Sequence, residues 1–479
     1  MRRNLGALPL TCGQSAIYLS QSKGYSVSGW QASQFVVIKG SIVPALLRQA
    51  ICHAISEAEP VRAGFIETDG KTFQAARDHP DIDLPFWDFT RSPDPAQEAH
   101  RMASSIQQTP MPLEGPLFRF ALFLTGLNEY FFFMCFHHLV IDAFSIGLLT
   151  DRIASVYSAI AGEYPIPKAL FGSLHDLVAC EAKYGASKDY LADLAYWKHN
   201  LPARGGSDDL PTQMSSGPSY LASAPVALDS SVVNQIGKSA HASRIRRASL
   251  ITAACALMVH ELGIASSEVV FNFPVARRTN QQLKNIPGML FGVIPLVLRV
   301  CQKSSVASYC RQVDMVIRNG LKHQRFPVYL LEREYDIRSD RSAERRVTIN
   351  FVPSANSPMF SGAPASTLYT TVGHSNYFDL MFTKHDAQVL LSTAGTGLPF
   401  SDFTAPELVG KLERLLLGLT IDTTRQLSSM TQRESVVDGP QLRLPGELPA
   451  KALLPNQALP EMECSGGCGD SGDGVVSVS

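Results

Sequence analysis

Apolar positions along this chain switch between two periods. In VPALLRQAICHAIS at 43–56, Val43, Leu46, Leu47, Ala50, Ile51 and Ala54 fall on one stripe, which predicts an amphipathic helix. QFVVI at 34–38 and LFRFALFLT at 117–125 predict strands, and YFFFMCF at 130–136 predicts a strand carried in the core. After Ser145 the period turns helical through Ile146, Leu149, Ile153, Val156, Tyr157 and Ile160, and Gly162 supplies a stop. The second half predicts helices at 247–262, 304–323 and 405–425 and strands at 267–273, 293–300, 346–352 and 388–394. No strict strand–helix–strand beat runs through these, so the class is mixed α/β, of the α+β kind. The Gly/Ser/Pro-rich stretch at 202–219 reads as an exposed loop. From 431 the period fades, and the small, polar segment 431–479 reads as a flexible tail that only a partner would order.

A chain of 479 residues is too long for one compact core, and two lobes are expected, 1–175 and 176–430. The formal net charge of −1 gives no electrostatic reason to bind nucleic acid or an anionic membrane. The longest apolar region, 117–149, is broken by Asn128, Glu129, two histidines and Asp142, so no stretch reaches the roughly 18 uninterrupted apolar residues of a membrane span. MRRNLGALPLT at the start is too short for a signal-peptide core. The nine cysteines form no paired framework, as in a reducing compartment, and Cys464 and Cys468 lack the partners of a zinc site. The expectation is a cytoplasmic monomer holding no metal.

Candidate chemistry lies in CFHHLVIDAFS at 135–145. A neutral imidazole takes a proton from a nucleophile near neutral pH. Adjacent histidines leaving a strand cannot point the same way, so one should hold the loop and the other face a cavity. Asp142 has three roles open to it: capping the next helix, orienting a histidine, or pairing with a distant arginine.

HHLVIDAFS resembles the HHxxxDG motif of nonribosomal peptide synthetase condensation domains, and companion segments follow in order. LTCGQSAIYLSQ at 10–21 resembles the opening motif, with Gln14, and with Tyr18 where tryptophan is usual. EAEPVRAGF at 57–65 resembles the second, with Arg62 on its arginine. LADLAYW at 191–197 is similar to the segment ending in tyrosine–tryptophan. FPVARRT at 273–279 resembles PVxGR and places Arg278 on its arginine. PGMLFGVIPLVLRV at 287–300, HQRFPVYLLERE at 323–334 and YFDLMF at 377–382 resemble the later motifs. The likeness covers roughly 8–430.

The resemblance implies the chloramphenicol-acetyltransferase-like fold: two lobes in a V around a central tunnel. Carrier proteins would present phosphopantetheine arms from either face, donor on one side and acceptor on the other; a free small amine or alcohol is a further acceptor, and no cofactor is bound by the chain itself. His138 is implied as the catalytic group. His137, Asp142 paired with Arg278, and Arg62 are implied as supports, with Ala143, Ser145 and Gly292 as tunnel positions.

Three positions depart from the pattern. Ala143 replaces the motif glycine, Gly292 stands where asparagine is common, and Arg277 takes the glycine of PVxGR. These departures motivate an alternative, a non-catalytic relative that binds carriers or recruits a tailoring enzyme. His137 argues against heterocyclisation domains, and no EGHGR segment marks an epimerisation domain. VGHSN at 372–376 imitates a carrier's serine motif, but Ser375 reads as an ordinary loop serine. RIRRAS at 244–249 reads as a solvated basic face that could also meet a carrier's acidic helix or phosphate. No adenylation or carrier motif follows 430, so the expectation is a free-standing enzyme or a separated piece of a synthetase.

Overall fold

The structure, a computed structural model, describes residues 6–21, 27–79, 81–202, 222–263, 267–335, 346–352, 357–372, 377–385, 387–395, 397 and 400–431. The 202–219 loop apart from its first residue, Ser375 and the tail beyond 431 therefore lie outside the described residues.

Two six-stranded sheets organise the chain. The first has the order Met359–Phe360, Ala363–Val372, Gln31–Lys39, Glu129–His137, Phe118–Gly126, Phe86–Asp88. Glu129–His137 pairs antiparallel with a neighbour on each side, Phe133 facing Phe35 and Ala121. Phe131 through His137 are all buried, which explains the unbroken apolar run: a central strand covered on both faces has no solvent side to alternate with. Phe35 sits among His100, Phe123, Phe131 and Phe133 with ring centroids 4.9–6.1 Å apart. Helix Pro44–Glu57 packs into this core through Leu47, Ala50, Ile51, Ala54 and Ile55; of the stripe read from the sequence, Val43 is instead the exposed N-cap and Leu46 is only partly buried, and proline at the first turn suits a helix start.

The second sheet runs Gly292–Arg299, Glu268–Val275, Val347–Val352, Phe378–His385, Gln388–Gly395, Val226–Ala227. It is mixed, since Val347–Val352 lies parallel to both neighbours while the other pairs are antiparallel. Helices Arg247–Glu261, Val306–Lys322 and Ala405–Ile421 contribute to its core. The last is four residues shorter than its period predicts: Asp422 is extended and its carboxylate accepts from the Thr424 backbone N–H and hydroxyl, a local turn that competes with helix.

The chain crosses between the two sheets. Ala363–Val372, from the second half, pairs antiparallel with Gln31–Lys39 of the first sheet, Ala365 opposite Ile38. Leu283, Ile286, Met289 and Leu290 also belong to the first core. Residues 1–432 accordingly form one compact unit. Among the described residues no helix is long and apolar enough to cross a membrane.

Candidate active site

The site grows from the end of strand Glu129–His137. His137 keeps strand pairing, its N–H donating to Leu117 O at 2.9 Å, and the His138 N–H donates to Trp30 O at 2.8 Å. A tight turn follows, Val140 N–H to His137 O at 3.1 Å, and Asp142 then caps helix Ala143–Ala161, its carboxylate accepting from the Ser145 N–H at 2.9 Å. The turn is fastened from the N-terminal helix Cys12–Gln21, where the buried Gln14 amide donates to Leu139 O at 2.9 Å and forms a reciprocal amide pair with Gln74.

The two histidines adopt opposite tautomers. His137 Nδ1 accepts the Leu139 N–H at 3.1 Å and so carries no proton. The other ring nitrogen, Nε2, lies 2.8 Å from the Gln21 side-chain nitrogen. Burial, reinforced by neighbouring His138, pushes the His137 pKa down to about 3, so the ring stays neutral. His138 Nδ1 lies 3.0 Å from Ile141 O, and since a carbonyl only accepts, Nδ1 carries the proton. The lone pair is therefore on Nε2, the form a general base requires. The Phe291 ring flanks the His138 ring at 5.8 Å between centroids.

His137 gives stability a pH slope. Its folded pKa lies below the unfolded value near 6.5, so between the two the unfolded chain binds the extra proton and stability falls as pH drops. The loss approaches roughly 1.4 kcal/mol per pH unit for this group. Burial also lowers His100, with the same sign. Urea unfolding at pH 7 and pH 5 should show the midpoint fall on acidification, and His137→Gln should flatten that fall; an unchanged slope would remove the buried neutral imidazole as its source.

Asp142 and Arg278 form an enclosed ion pair. Arg278 Nη2 donates to both carboxylate oxygens at 3.0 and 2.9 Å, and each side chain is at most 3% exposed. The Leu290 N–H adds a third donor to the carboxylate at 3.1 Å. Arg278 Nη1 donates to Leu283 O and Ile286 O at 2.6 and 2.8 Å, Nη2 reaches Gly288 O and Ser145 Oγ, and the guanidinium carbon lies 4.7 Å from the Phe144 ring centre. One arginine thus ties the segment 283–288 to the start of the Asp142-capped helix.

The other expected positions separate. Ala143 opens its helix and is not among the positive-φ residues, so alanine brings no backbone strain there. Ser145 does not line open space as expected: it is fully buried, donating to Gly288 O at 2.9 Å and accepting the Gly288 N–H at 3.0 Å. Arg62 does not reach the histidine turn. Its side chain donates to Arg77 O and to exposed Asp78, both at 2.9 Å, which makes it a brace of the hairpin Ala63–Ala76. In the basic cluster, Arg246 is held by buried Asp314 at 3.0 Å, while Arg244 is a left-handed helix cap at the edge of a surface depression of about 420 Å³ shared with Arg311, Met315, Arg318 and Lys322. Among the described residues no group of three His, Cys, Asp or Glu is placed to hold a metal.

Gly292 and Arg277 are one feature. A Cβ on Gly292 would sit 2.2 Å from Arg277 Cζ, and the guanidinium is anchored by Nε to Gln324 O at 3.1 Å and by Nη2 to Phe326 O at 3.4 Å. Gly292→Ala should cost about 1–3 kcal/mol through overpacking. Arg277→Gly in the same chain should recover most of it, and equal losses in single and double variants by chemical denaturation would refute the contact.

A mixed α/β fold built on two six-stranded sheets places the chain in the chloramphenicol-acetyltransferase-like class. Within that class the chain belongs to the condensation domain family, whose model matches residues 4–435. It is similar to a dimodular nonribosomal peptide synthase of Bacillus subtilis (strain 168), 25% identical over 83% of this chain and 16% of the relative. It is also similar to an isonitrile lipopeptide synthase of Streptomyces coeruleorubidus, 24% identical over 94% of this chain and 31% of the relative. The chain therefore spans under a third of the length of these curated relatives. Among solved structures, it matches a variant of the starter condensation domain of rhizomide synthetase in complex with C8-CoA, with TM-score 0.77, 26% identity, 88% of this chain and 97% of that one. The first condensation domain of the calcium-dependent antibiotic synthetase in complex with a substrate analogue gives 0.77 at 24% identity, over 88% of this chain and 98% of that one.

Proposed function

We propose that this chain is a cytoplasmic condensation enzyme. It transfers an acyl or peptidyl group from a carrier protein's phosphopantetheine thioester to an amine, or to a hydroxyl, in nonribosomal peptide or hybrid polyketide biosynthesis. The acceptor amine attacks the thioester carbon, a tetrahedral intermediate forms, and the C–S bond breaks. His138 Nε2 accepts the proton the amine must lose and returns it to the departing thiolate, which leaves an amide and a free phosphopantetheine thiol. Because a thioester is already reactive, holding the two substrates together supplies much of the acceleration, up to roughly 7–11 kcal/mol in ideal geometry. His137 and the Asp142–Arg278 pair hold the turn from which His138 projects and do not carry protons.

The observation that carries this reading is the tautomer of His138: Nδ1–H donates to a backbone carbonyl, which puts the lone pair of the neutral ring on Nε2. The substitutions at Ala143 and Gly292, which motivate a non-catalytic relative, leave that turn intact. Intact-protein mass spectrometry of an acyl-loaded carrier mixed with the chain and a panel of carrier-bound and free amines and alcohols tests it. Mass leaving the donor and appearing on an acceptor is the expected result; no transfer across the panel would overturn it.

A further inference from the structure

Arg277 is a buried cation without an anion. It is 5% exposed, and the Arg277 side-chain hydrogen bonds go to two backbone carbonyls, Gln324 O and Phe326 O. Among the described residues no carboxylate lies within ion-pair distance of it. Nη1 has no hydrogen-bond partner there, and it is not one of the fully enclosed unpartnered nitrogens, so it retains access to open space. Burying a guanidinium this way is unfavourable unless something anionic arrives. The backbone is strained as well: φ is +54°, a left-handed conformation that glycine, the residue usual at this point of the motif, adopts freely. Two unfavourable features at one residue need a compensating role.

The guanidinium packs against the chain neighbour of the ring that flanks His138. It lies over Gly292, where any Cβ would collide with it, and Gly292 follows Phe291, the ring that flanks His138. Loss of the side chain at 292 is what makes room for the guanidinium. Glu181, which like Arg277 acts electrostatically on Cys12, accepts the Cys12 N–H at 2.7 Å. Burial and Glu181 raise the Cys12 thiol to about 12, so it is a neutral wall residue and not a competing anion.

We propose that Arg277 is a specificity-determining residue that receives a free carboxylate carried by one of the two substrates, either on the acyl thioester or on a free amino-acid acceptor. Guanidinium and carboxylate match in a two-pronged hydrogen-bonded pair, and a low-dielectric site strengthens it. This assignment rests on the condensation reading for what enters the site.

Isothermal titration without turnover tests it. The probes are succinyl-pantetheine against butyryl-pantetheine for the thioester source, and alanine against alaninamide for the acceptor source. The expected result is at least about tenfold tighter binding of the carboxylate member in one pair, lost in R277G and partly kept in R277K. The pair that shows the preference identifies the source. Equal binding within both pairs, or a preference that survives in R277G, overturns the proposal. A melting curve of each variant reports folding, and R277K keeps the test decisive should R277G fail to fold. A wild type that prefers the carboxylate but transfers no acyl group would defeat the condensation reading and leave the anion site standing.

Discussion

His138→Ala should lower acyl transfer to an amine by roughly 10²–10⁴-fold, the usual contribution of a positioned general base. The loss falls on the chemical step. The imidazole packs against the Phe291 ring and is anchored by a carbonyl of its own turn. Single-turnover transfer from a pre-loaded carrier should therefore slow, while the melting temperature shifts little. An alcohol acceptor should suffer a larger loss than an amine. A neutral amine attacks with a free lone pair and sheds its proton afterwards, whereas a hydroxyl must lose its proton as attack proceeds. Transfer at the wild-type rate in His138→Ala would remove the general-base role and leave juxtaposition alone.

Arg278→Ala should destabilise the fold by about 3–5 kcal/mol, because it strands the Asp142 carboxylate where water does not reach. Four carbonyl and hydroxyl acceptors, at Leu283, Ile286, Gly288 and Ser145, would lose their donor at the same time. The melting temperature should drop on the order of 10 °C. Asp142→Ala should produce a comparable fall, since it strands the guanidinium. The discriminating measurement is the double-mutant cycle: replacing both partners by neutral groups should cost less than the sum of the single losses. Additive losses would mean that the two charges do not depend on each other.

The sequence made part of this legible for clear physical reasons. Helices with one apolar stripe, such as Pro44–Glu57 and Ala143–Ala161, announce themselves by period, and Gly162 does cap the second. The histidine turn is legible because an apolar central strand ends abruptly in polar groups. Ala363–Val372 escapes a search for apolar runs: APASTLYTTV is rich in threonine and serine, and its β-branched and aromatic residues were the signal that could have found it. Ser145 and Arg62 show a different limit. Motif position gives neighbourhood, but whether a side chain meets solvent depends on segments far away in sequence, here Gly288 and the exposed Asp78. Gln14 holds the turn at Leu139 O, and only its place in a family motif singles it out in the sequence. The link between Arg277 and Gly292 joins the first residue of one strand to a residue two positions past the end of its neighbour, where Val275 pairs with Gly292, so neither position alone reveals it.

The strand Ala363–Val372 sets a rule for anyone recombining this chain with a relative. The first sheet is completed by Ala363–Val372, which follows in sequence long after Glu129–His137, so a crossover placed between the halves separates Gln31–Lys39 from the strand shaped to fit it. A chimera joined there must inherit a matching edge with its second half, or it exposes an unpaired strand and invites self-association. Exchange of the whole unit, residues 1–432, avoids that cut.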